Sequence, residues 1–250
     1  MKALRFILSG KTACFRKPDV NVFAYFTYNN IHKPSLLGLL GAIIGLGGHN
    51  QLSDKNQGLK KSSLSYDDGF PEFYEKLKEL KIAITPLAPN GYFSKKIQTF
   101  NNSVGYASFE QGGNLIVREQ WLENPVWQIL ILDDESEVFQ KISEYLLSGK
   151  SVFIPYLGKN DHPAKIDDVR IIELSAPFGN YIDSLFIKNF DKLGFAKEDE
   201  RPYFFQEVSP MMLQKDYHFY EYETLVFTNH EVTNLPHDIY SNDGKNYAFI

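Results

Sequence analysis

The chain is poor in cysteine and has no long hydrophobic run. Cys14 is the single cysteine among 250 residues, so neither an internal disulfide nor a cysteine-based metal cluster can form. This scarcity is typical of a reducing compartment. The longest apolar run, residues 36–46, is too short to cross about 30 Å of hydrocarbon. The first residues contain no apolar signal segment. We therefore expect a cytoplasmic protein with no membrane partner.

Several catalytic and metal-binding motifs are also missing. The six histidines form no HxH or HxxxH pair, and no cysteine is available to complete a ligand set. The sequence has no Walker loop for a nucleoside triphosphate and no G-x-S-x-G motif around a nucleophilic serine. We therefore expect no metal and no cofactor, and the sequence gives no support to nucleotide hydrolysis.

Charge is distributed unevenly along the chain. The net charge is −5, yet residues 1–118 hold 15 basic and 8 acidic residues, whereas residues 119–250 hold 11 basic and 23 acidic residues. The bias is strongest in residues 1–61, with 9 basic and 2 acidic residues. Such asymmetry indicates that the first part of the chain faces a polyanion, with chance clustering as the alternative. The 20 Phe and 15 Tyr residues supply core side chains and also faces on which bases can stack.

Apolar alternation and turn signals predict an α+β fold. The main expected elements, in chain order, are a strand at 3–8, a helix at 34–46, strands at 81–87 and 126–132, a helix at 135–148 and a strand at 152–154. This order is ferredoxin-like and underlies RNA-recognition (RRM-like) modules, which present a sheet face to single strands. Repeated turn signals over residues 88–120 predict a long β-hairpin that protrudes from the body. We expect a ferredoxin-like RNA-binding domain over residues 1–155 and a small β-rich domain over residues 156–250.

Other segments complete the prediction around the first helix. Residues 22–28 are β-prone and aromatic, and residues 49–69 have the polar composition of a loop. The helix begins at Pro34 and contains Gly38, Gly41 and Gly45. Since each interior glycine costs roughly 1 kcal/mol relative to alanine, these glycines predict a partner packed very close to the helix. A sheet or a nucleic-acid backbone would fit, with a sheet favoured for at least two of the three.

Specific motifs lie in two parts of the chain. Residues 1–48 contain RFILSGKTA (5–13), FRKP (15–18), IHKP (31–34) and LLGLLGAIIGL (36–46). Residues 92–170 contain two further motifs, VREQWL (117–122) and YLGKNDHPA (156–164). On these motifs the chain resembles the Cas-five family of CRISPR effector complexes, in the form found in type I-B systems. The resemblance is dense over residues 1–48 and looser over residues 92–170. The resemblance implies a ferredoxin-like domain with a protruding hairpin "thumb" and a small β domain.

The resemblance also implies a function and a set of partners. The chain would be a non-catalytic subunit of a type I CRISPR surveillance complex (Cascade), binding and capping the 5′ handle of the guide RNA (crRNA). It would join the Cas-seven type backbone subunit to the Cas-eight type large subunit. Target DNA would be an indirect partner in antiviral defence.

The predicted RNA-binding residues are basic, aromatic and polar side chains. The cations of the first segment would neutralise phosphates, and aromatic rings there would stack on splayed bases. The set comprises Arg5, Ser9, Lys11, Phe15, Arg16, Lys17, Tyr28, His32, Lys33, Lys95, Lys96, Arg118, Gln120 and Lys159. The alternatives are a solvated positive face for the cations, core packing for Phe15 and a simple turn at Lys159. The hairpin adds Tyr92, Phe93 and Phe100 as aromatics able to insert between nucleotides.

His32 carries the alternative function. Histidine, lysine and tyrosine together can cleave RNA without a metal, since the imidazole takes the 2′-OH proton and the lysine stabilises the charge on the phosphate. The closeness of Tyr28, His32 and Lys33 in sequence suggests such a metal-independent endoribonuclease, which would process pre-crRNA as one Cas-five branch in type I-C systems does. We favour the interpretation that His32 caps the following helix or hydrogen-bonds the handle, and that the protein is not an enzyme. A third possibility, an unrelated enzyme on this sheet, predicts no RNA affinity.

Overall fold

The structure is a computed structural model that describes residues 1–19, 23–52, 69–106, 109–190, 192–198, 200–233 and 235–250. The chain is a mixed α/β protein, rich in strands and with few helices. The helices that lie wholly within the described residues include α1 (Lys33–Ile44), α2 (Glu72–Leu77) and α3 (Glu137–Leu147). The strands are β1 (Lys2–Ser9), β2 (Thr12–Ala13), β3 (Ile82–Pro86), β4 (Lys95–Asn101), β5 (Ile116–Glu123), β6 (Val126–Leu132), β7 (Lys165–Glu173), β8 (Phe186–Ile187), β9 (Leu193–Ala196), β10 (Phe204–Leu213), β11 (Tyr220–Thr228), β12 (His230–Val232), β13 (Ile239–Asn242) and β14 (Lys245–Ala248). Within the described residues, no helix is long and apolar enough to cross a membrane.

A four-stranded antiparallel sheet forms the centre of the molecule, with strand order β3-β6-β1-β7. Side chains alternate across a strand, so Leu4, Phe6 and Leu8 of β1 share one face. All three are fully buried in the main core cluster, together with Leu36 of α1 and Ile142 of α3. The apolar face of β1 is therefore covered by the two helices.

The other face of this sheet is covered in part by the C-terminal hairpin. β13 and β14 pair in register, and Tyr247 and Phe249 pack against Ala3 of β1 and Leu130 of β6 in a second core cluster. In RNA-recognition modules of the predicted ferredoxin-like order, a sheet face is presented to a single strand. In the structure, protein occupies that part of the face.

The fourth strand of the sheet is not where the sequence places it. Residues 152–154 form no strand, so that prediction is wrong; the strand beside β1 is β7. The domain boundary at residue 155 stays a prediction, although β7, which follows it, belongs to the central sheet. Residues 23–28 form single bridges rather than a strand. Of the predicted loop at 49–69, residues 49–52 are helical, so that part of the prediction is wrong. Residue 22 and residues 53–68 lie outside the described part of the chain.

Gly38 and Gly41 of α1 face a helix rather than a sheet, whereas Gly45 faces Val152. A Cβ on Gly41 would lie 2.6 Å from Cβ of Phe73 in α2, closer than real Cβ contacts. A Cβ on Gly38 would lie 3.8 Å from the same side chain, an ordinary contact, and Gly45 ends α1 at φ +80, a left-handed conformation that favours glycine. The expectation of close sheet packing is therefore wrong, and the close partner at Gly41 is α2.

The predicted hairpin is formed by β4 and β5, which pair from Lys95 opposite Leu122 to Asn101 opposite Ile116. β2 pairs with the base of β5 and completes a three-stranded sheet. The base of the hairpin is anchored by Leu122, which is fully buried in the main core. Residues 102–115, apart from the undescribed 107–108, form the connection at the other end.

Candidate nucleic-acid interface

Two short extended segments widen the hairpin sheet along one edge of β5. The amide of Tyr25 donates to the carbonyl of Arg118 at 2.9 Å, and the amide of Gln120 donates to the carbonyl of Tyr25 at 2.8 Å. Arg16 in turn bridges Thr27, and the amide of Lys17 donates to the carbonyl of Phe26 at 2.8 Å. We call this surface, formed by residues 15–17 and 25–28 with strands β4 and β5, the basic ribbon.

The cations of residues 15–17 lie over aromatic rings. The guanidinium of Arg16 lies 3.3 Å from the centre of the Tyr25 ring, and the ammonium of Lys17 lies 5.0 Å from that of Tyr28. Arg16 is exposed. A guanidinium stacked on a ring keeps the N–H groups at its edge directed outwards. The stack therefore holds Arg16 in an orientation that suits a phosphate or the edge of a base.

A second group of charges joins the ribbon to β10. Burial lowers the pKa of Lys95, an effect that Glu207 opposes and Lys17 reinforces. Burial raises the pKa of Glu207, although its carboxylate accepts two bonds from the amide of Asn29 at 2.9 and 3.0 Å and lies near both lysines. Two ammonium groups therefore share one carboxylate, which leaves an excess of positive charge at the base of the hairpin.

The hairpin register separates its predicted RNA-binding residues onto two faces. Lys95 lies opposite Leu122 and Gln120 lies opposite Ile97, so Lys95, Arg118 and Gln120 share one face of the hairpin. Gln120 accepts a hydrogen bond from the amide of Thr27 at 3.4 Å, and Arg118 is exposed. Lys96 points to the opposite face, 3.6 Å from Glu123. The face with Lys95 and Arg118 therefore carries the excess of positive charge, since Lys95 and Lys17 have the single carboxylate of Glu207 near them.

Two predicted aromatics of the first segment are buried. Phe15 is 2% exposed and packs edge-on against Trp127 with ring centres 5.9 Å apart. Core packing, the alternative left open for Phe15, is thus the one observed. Tyr28 is 3% exposed, and burial followed by its hydrogen bond with Tyr222 raises its pKa well above the usual range. Neither ring presents a face on which a base can stack.

His32 is the N-cap of α1, so the helix-capping prediction is confirmed. Its Nδ1 accepts from the amide of Ser35 at 3.3 Å, and its Nε2 lies 2.9 Å from Oγ of the same serine. The ring is 2% exposed and packs edge-on against Phe15, Tyr28 and Tyr220. Burial lowers the pKa of His32 to about 3, so the ring is neutral at physiological pH. Both nitrogens that a general base would use are engaged within the protein.

Three further predicted cations are compensated within the protein. Arg5 pairs with Asp168 at 2.7 Å and donates to Gln128 at 2.8 Å. Lys159 contacts Glu119 at 2.8 Å. Lys33 donates to the carbonyl of the last residue at 3.1 Å, and burial lowers its pKa. These three side chains do not form a solvated positive face, because each donates to a specific acceptor within the protein.

The other predicted positions lie near the start of the first segment. Lys11 is exposed, whereas Ser9 is half-buried at the end of β1, opposite Val126 and Lys165. The structure therefore brings together Lys17, Lys95, Arg118 and Gln120 on one face of the hairpin sheet, whereas Arg16 stacks on Tyr25, which shares the opposite face with Glu119. The rest of the predicted set is apart from these residues or inward-facing.

The hairpin tip holds two aromatics that the sequence reasoning missed. Tyr106 is 81% exposed and Phe109 is 89% exposed. Of the aromatics expected to be available, Phe93 is 4% exposed and Phe100 packs on Trp121, whereas Tyr92 is exposed. The signal for the tip was present in the sequence, because both missed rings lie between the turn signals at 101–102 and 112–114.

A separate groove of about 510 Å³ lies beside α1, lined by Leu39, Phe73, Phe153 and Tyr156 among others. None of the described residues that line it carries a formal charge, so these residues offer a phosphate backbone no cation. In the described part of the chain, no group of three or more His, Cys, Asp or Glu residues is arranged to hold a metal ion.

Comparison with known proteins finds likeness only at the level of structure. No family model and no curated protein matches the sequence. A chain of a CRISPR RNA-guided surveillance complex shares the fold, with a TM-score of 0.50 and 13% identity over 92% of this chain and 91% of that chain. A CRISPR protein from Archaeoglobus fulgidus has a TM-score of 0.46 and 13% identity over 99% and 98% of the two chains. A chain of the type III-B Cmr-beta complex bound to cognate target RNA has a TM-score of 0.43 and 10% identity over 93% and 86%. By their descriptions, these three neighbours are CRISPR proteins or chains of CRISPR complexes.

Proposed function

We propose that this protein is a non-catalytic, RNA-binding subunit of a type I CRISPR surveillance complex, of the Cas-five family in its type I-B form. Its ligand is the 5′ handle of crRNA, a single strand that the basic ribbon grips by its phosphates. The observation that carries the proposal is that Lys17, Lys95 and Arg118, from two distant parts of the sequence, share one face of the hairpin sheet, while Arg16 is held on the ring of Tyr25. The fold shared with a chain of a CRISPR surveillance complex supports the CRISPR-associated role.

We also propose that the central sheet with α1 and α3 is a ferredoxin-like domain and that the β4–β5 hairpin is its thumb. The antiparallel strand order β3-β6-β1-β7 supports the first assignment, because the strands follow the chain order strand, helix, strand, strand, helix, strand. Since β13 and β14 cover part of the sheet face used by RNA-recognition modules, the RNA lies on the ribbon instead.

The partners in this proposal are a Cas-seven type backbone subunit and a Cas-eight type large subunit in the cytoplasm, with target DNA reached through the complex. The exposed tip of the hairpin, with Tyr106 and Phe109, is the part of the chain suited to reach a neighbour or to wedge between nucleotides. His32 has a capping role in this proposal, so the protein is not the endoribonuclease that makes the guide.

The test is RNA binding by the variant Arg16→Glu/Lys17→Glu. We expect the affinity for single-stranded repeat RNA, measured by fluorescence anisotropy, to fall at least tenfold. If each cation contacts one phosphate, the slope of log K against log salt should become shallower by about 0.7 per contact. The matched control is Lys141→Glu/Lys150→Glu, the same charge change at exposed lysines of and beside α3. Equal binding by the two double variants contradicts the proposal.

The same RNA, incubated with the protein and EDTA, tests the enzymatic alternative. Site-specific cleavage that is lost in His32→Ala would establish the endoribonuclease instead.

A further inference from the structure

The loop at residues 156–164 is closed on itself and matches one of the motifs noted in the sequence. Tyr156 bridges Pro163, and the amide of Leu157 donates to the carbonyl of His162 at 2.8 Å. The amide of His162 donates back to the carbonyl of Lys159 at 3.0 Å. These bonds give the loop a fixed shape without a helix or strand.

One side of the loop holds the segment that leads to Arg16 and Lys17. The amide of Cys14 donates to the carbonyl of Leu157 at 3.1 Å, and Thr12 Oγ1 lies 2.7 Å from His162 Nδ1. Gly158 has φ +87, and a Cβ there would overlap the carbonyl oxygen of Cys14. The two backbones are therefore in direct contact, which only glycine permits at this position.

The other side of the loop holds the hairpin. Nζ of Lys159 donates to both carboxylate oxygens of Glu119, at 2.8 and 3.0 Å. Nε1 of Trp121 donates to the same carboxylate at 3.0 Å, and the His162 ring packs edge-on against Trp121 with centres 4.6 Å apart. Glu119 is 4% exposed, so its charge is buried among these partners.

We propose that Lys159 and Glu119 are positioning residues of the RNA site, which set the distance between the cations of residues 15–17 and those of the hairpin. Glu119 lies between Arg118 and Gln120 in sequence and forms a backbone bridge with Tyr25, on which Arg16 stacks. A shift of the loop therefore moves both halves of the ribbon relative to each other. This inference rests on the proposed RNA-binding function, and it assigns Lys159 a role other than the phosphate contact expected from its charge.

The proposal makes a prediction opposite to that of simple electrostatics. Removal of a carboxylate near an RNA site ordinarily strengthens binding, because a repulsive charge is lost. If Glu119 positions the ribbon, Glu119→Gln should instead weaken RNA affinity, by roughly fivefold or more, a usual size for coupling between sites. Lys159→Met should weaken it by a similar factor, and the variant with both changes should be no weaker than the worse single variant, since both act through one contact.

The matched control is Asp161→Asn. It removes the same charge from the same loop, 3.6 Å from Lys159, but its carboxylate is 53% exposed. Its RNA affinity should equal or slightly exceed that of the unmodified protein. Lys159→Arg should retain most of the RNA affinity of the unmodified protein, because a guanidinium can also pair with the carboxylate of Glu119.

The experiment is fluorescence anisotropy with single-stranded repeat RNA at two salt concentrations, with thermal unfolding of every variant to verify the fold. If Glu119→Gln does not fold, Glu119→Gln/Lys159→Gln replaces it, because a neutral pair leaves no unpaired buried charge. RNA affinity at or above that of the unmodified protein in either variant overturns the positioning role while leaving the RNA function intact. An unmodified protein that does not bind RNA removes both proposals, so the two failures are distinguishable.

Discussion

Replacement of His32 by asparagine should make the free energy of unfolding less sensitive to acid. Burial lowers the pKa of His32 from 6.5 to about 3 in the folded chain. Between these values the unfolded chain binds a proton that the folded chain excludes. The contribution of His32 to stability is therefore complete above pH 6.5 and is lost as the pH falls towards 3, by about 1.4 kcal/mol per pH unit.

The size of the effect follows from the fraction of the titration that is sampled. Of the two pH units between 7.5 and 5.5, only the one from 6.5 to 5.5 lies below the pKa of His32 in the unfolded chain. His32 therefore lowers the unfolding free energy by about 1.4 kcal/mol over that interval. Asparagine is a good N-cap and can serve α1 at either pH. The packing lost against Phe15, Tyr28 and Tyr220 adds a constant cost that does not depend on pH.

The assay is urea unfolding of both proteins at pH 7.5 and 5.5. The fall in unfolding free energy between the two pH values should be smaller in His32→Asn by about 1.4 kcal/mol. Burial also lowers the pKa of His49, His162 and His218, but these groups are present in both proteins, so their effect cancels in the difference. An equal fall in both proteins would mean that the His32 ring titrates freely, which refutes its burial and restores it as a possible general base.

The packing of α1 and the role of the hairpin tip give two further predictions. Gly41→Ala should lower the melting temperature, because its Cβ would lie 2.6 Å from Cβ of Phe73. Gly38→Ala, whose Cβ would lie 3.8 Å from the Phe73 ring, should raise the unfolding free energy by up to about 1 kcal/mol. A change of melting temperature in the same direction in both variants would contradict this packing. Tyr106→Ala/Phe109→Ala should leave the melting temperature unchanged, because both rings are largely exposed, but should reduce assembly with crRNA and partner subunits in a reconstitution assay. Normal assembly would argue against a role for the tip.

Local sequence patterns predicted the elements that are determined by residues close together in the sequence. The alternation of Leu4, Phe6 and Leu8 identified β1, and Pro34 marked the start of α1. The apolar run at 152–154 has the composition of a strand but not its structure. The amides of Val152 and Phe153 donate to carbonyls at the end of α1, at 2.8 and 3.2 Å, and both side chains are about half exposed. Composition alone does not distinguish a strand from an extended segment whose amides hydrogen-bond to the carbonyl groups at the end of a helix.

The candidate site was predicted less well because charge partners are distant in sequence. Lys159 reaches a carboxylate 40 residues away, and Arg5 reaches one 163 residues away. A sequence shows that these cations exist but not which of them are paired, since pairing depends on how the strands are arranged. The cations of residues 15–17 are different, because their ring partners Tyr25 and Tyr28 lie about ten residues along the chain.

The acidic second half of the chain contributes directly to the basic site. The charge asymmetry suggested one face for a polyanion and another for water or protein. Yet Glu119 and Glu207, both from the acidic half, lie beside the ribbon, where each accepts hydrogen bonds and lies near lysines. Glu119 is buried and Glu207 is half-buried. Such carboxylates fix the neighbouring cations in place, at the cost of part of their charge. The net charge of a segment therefore indicates which ligand it attracts, whereas these acids determine where the attracting groups lie.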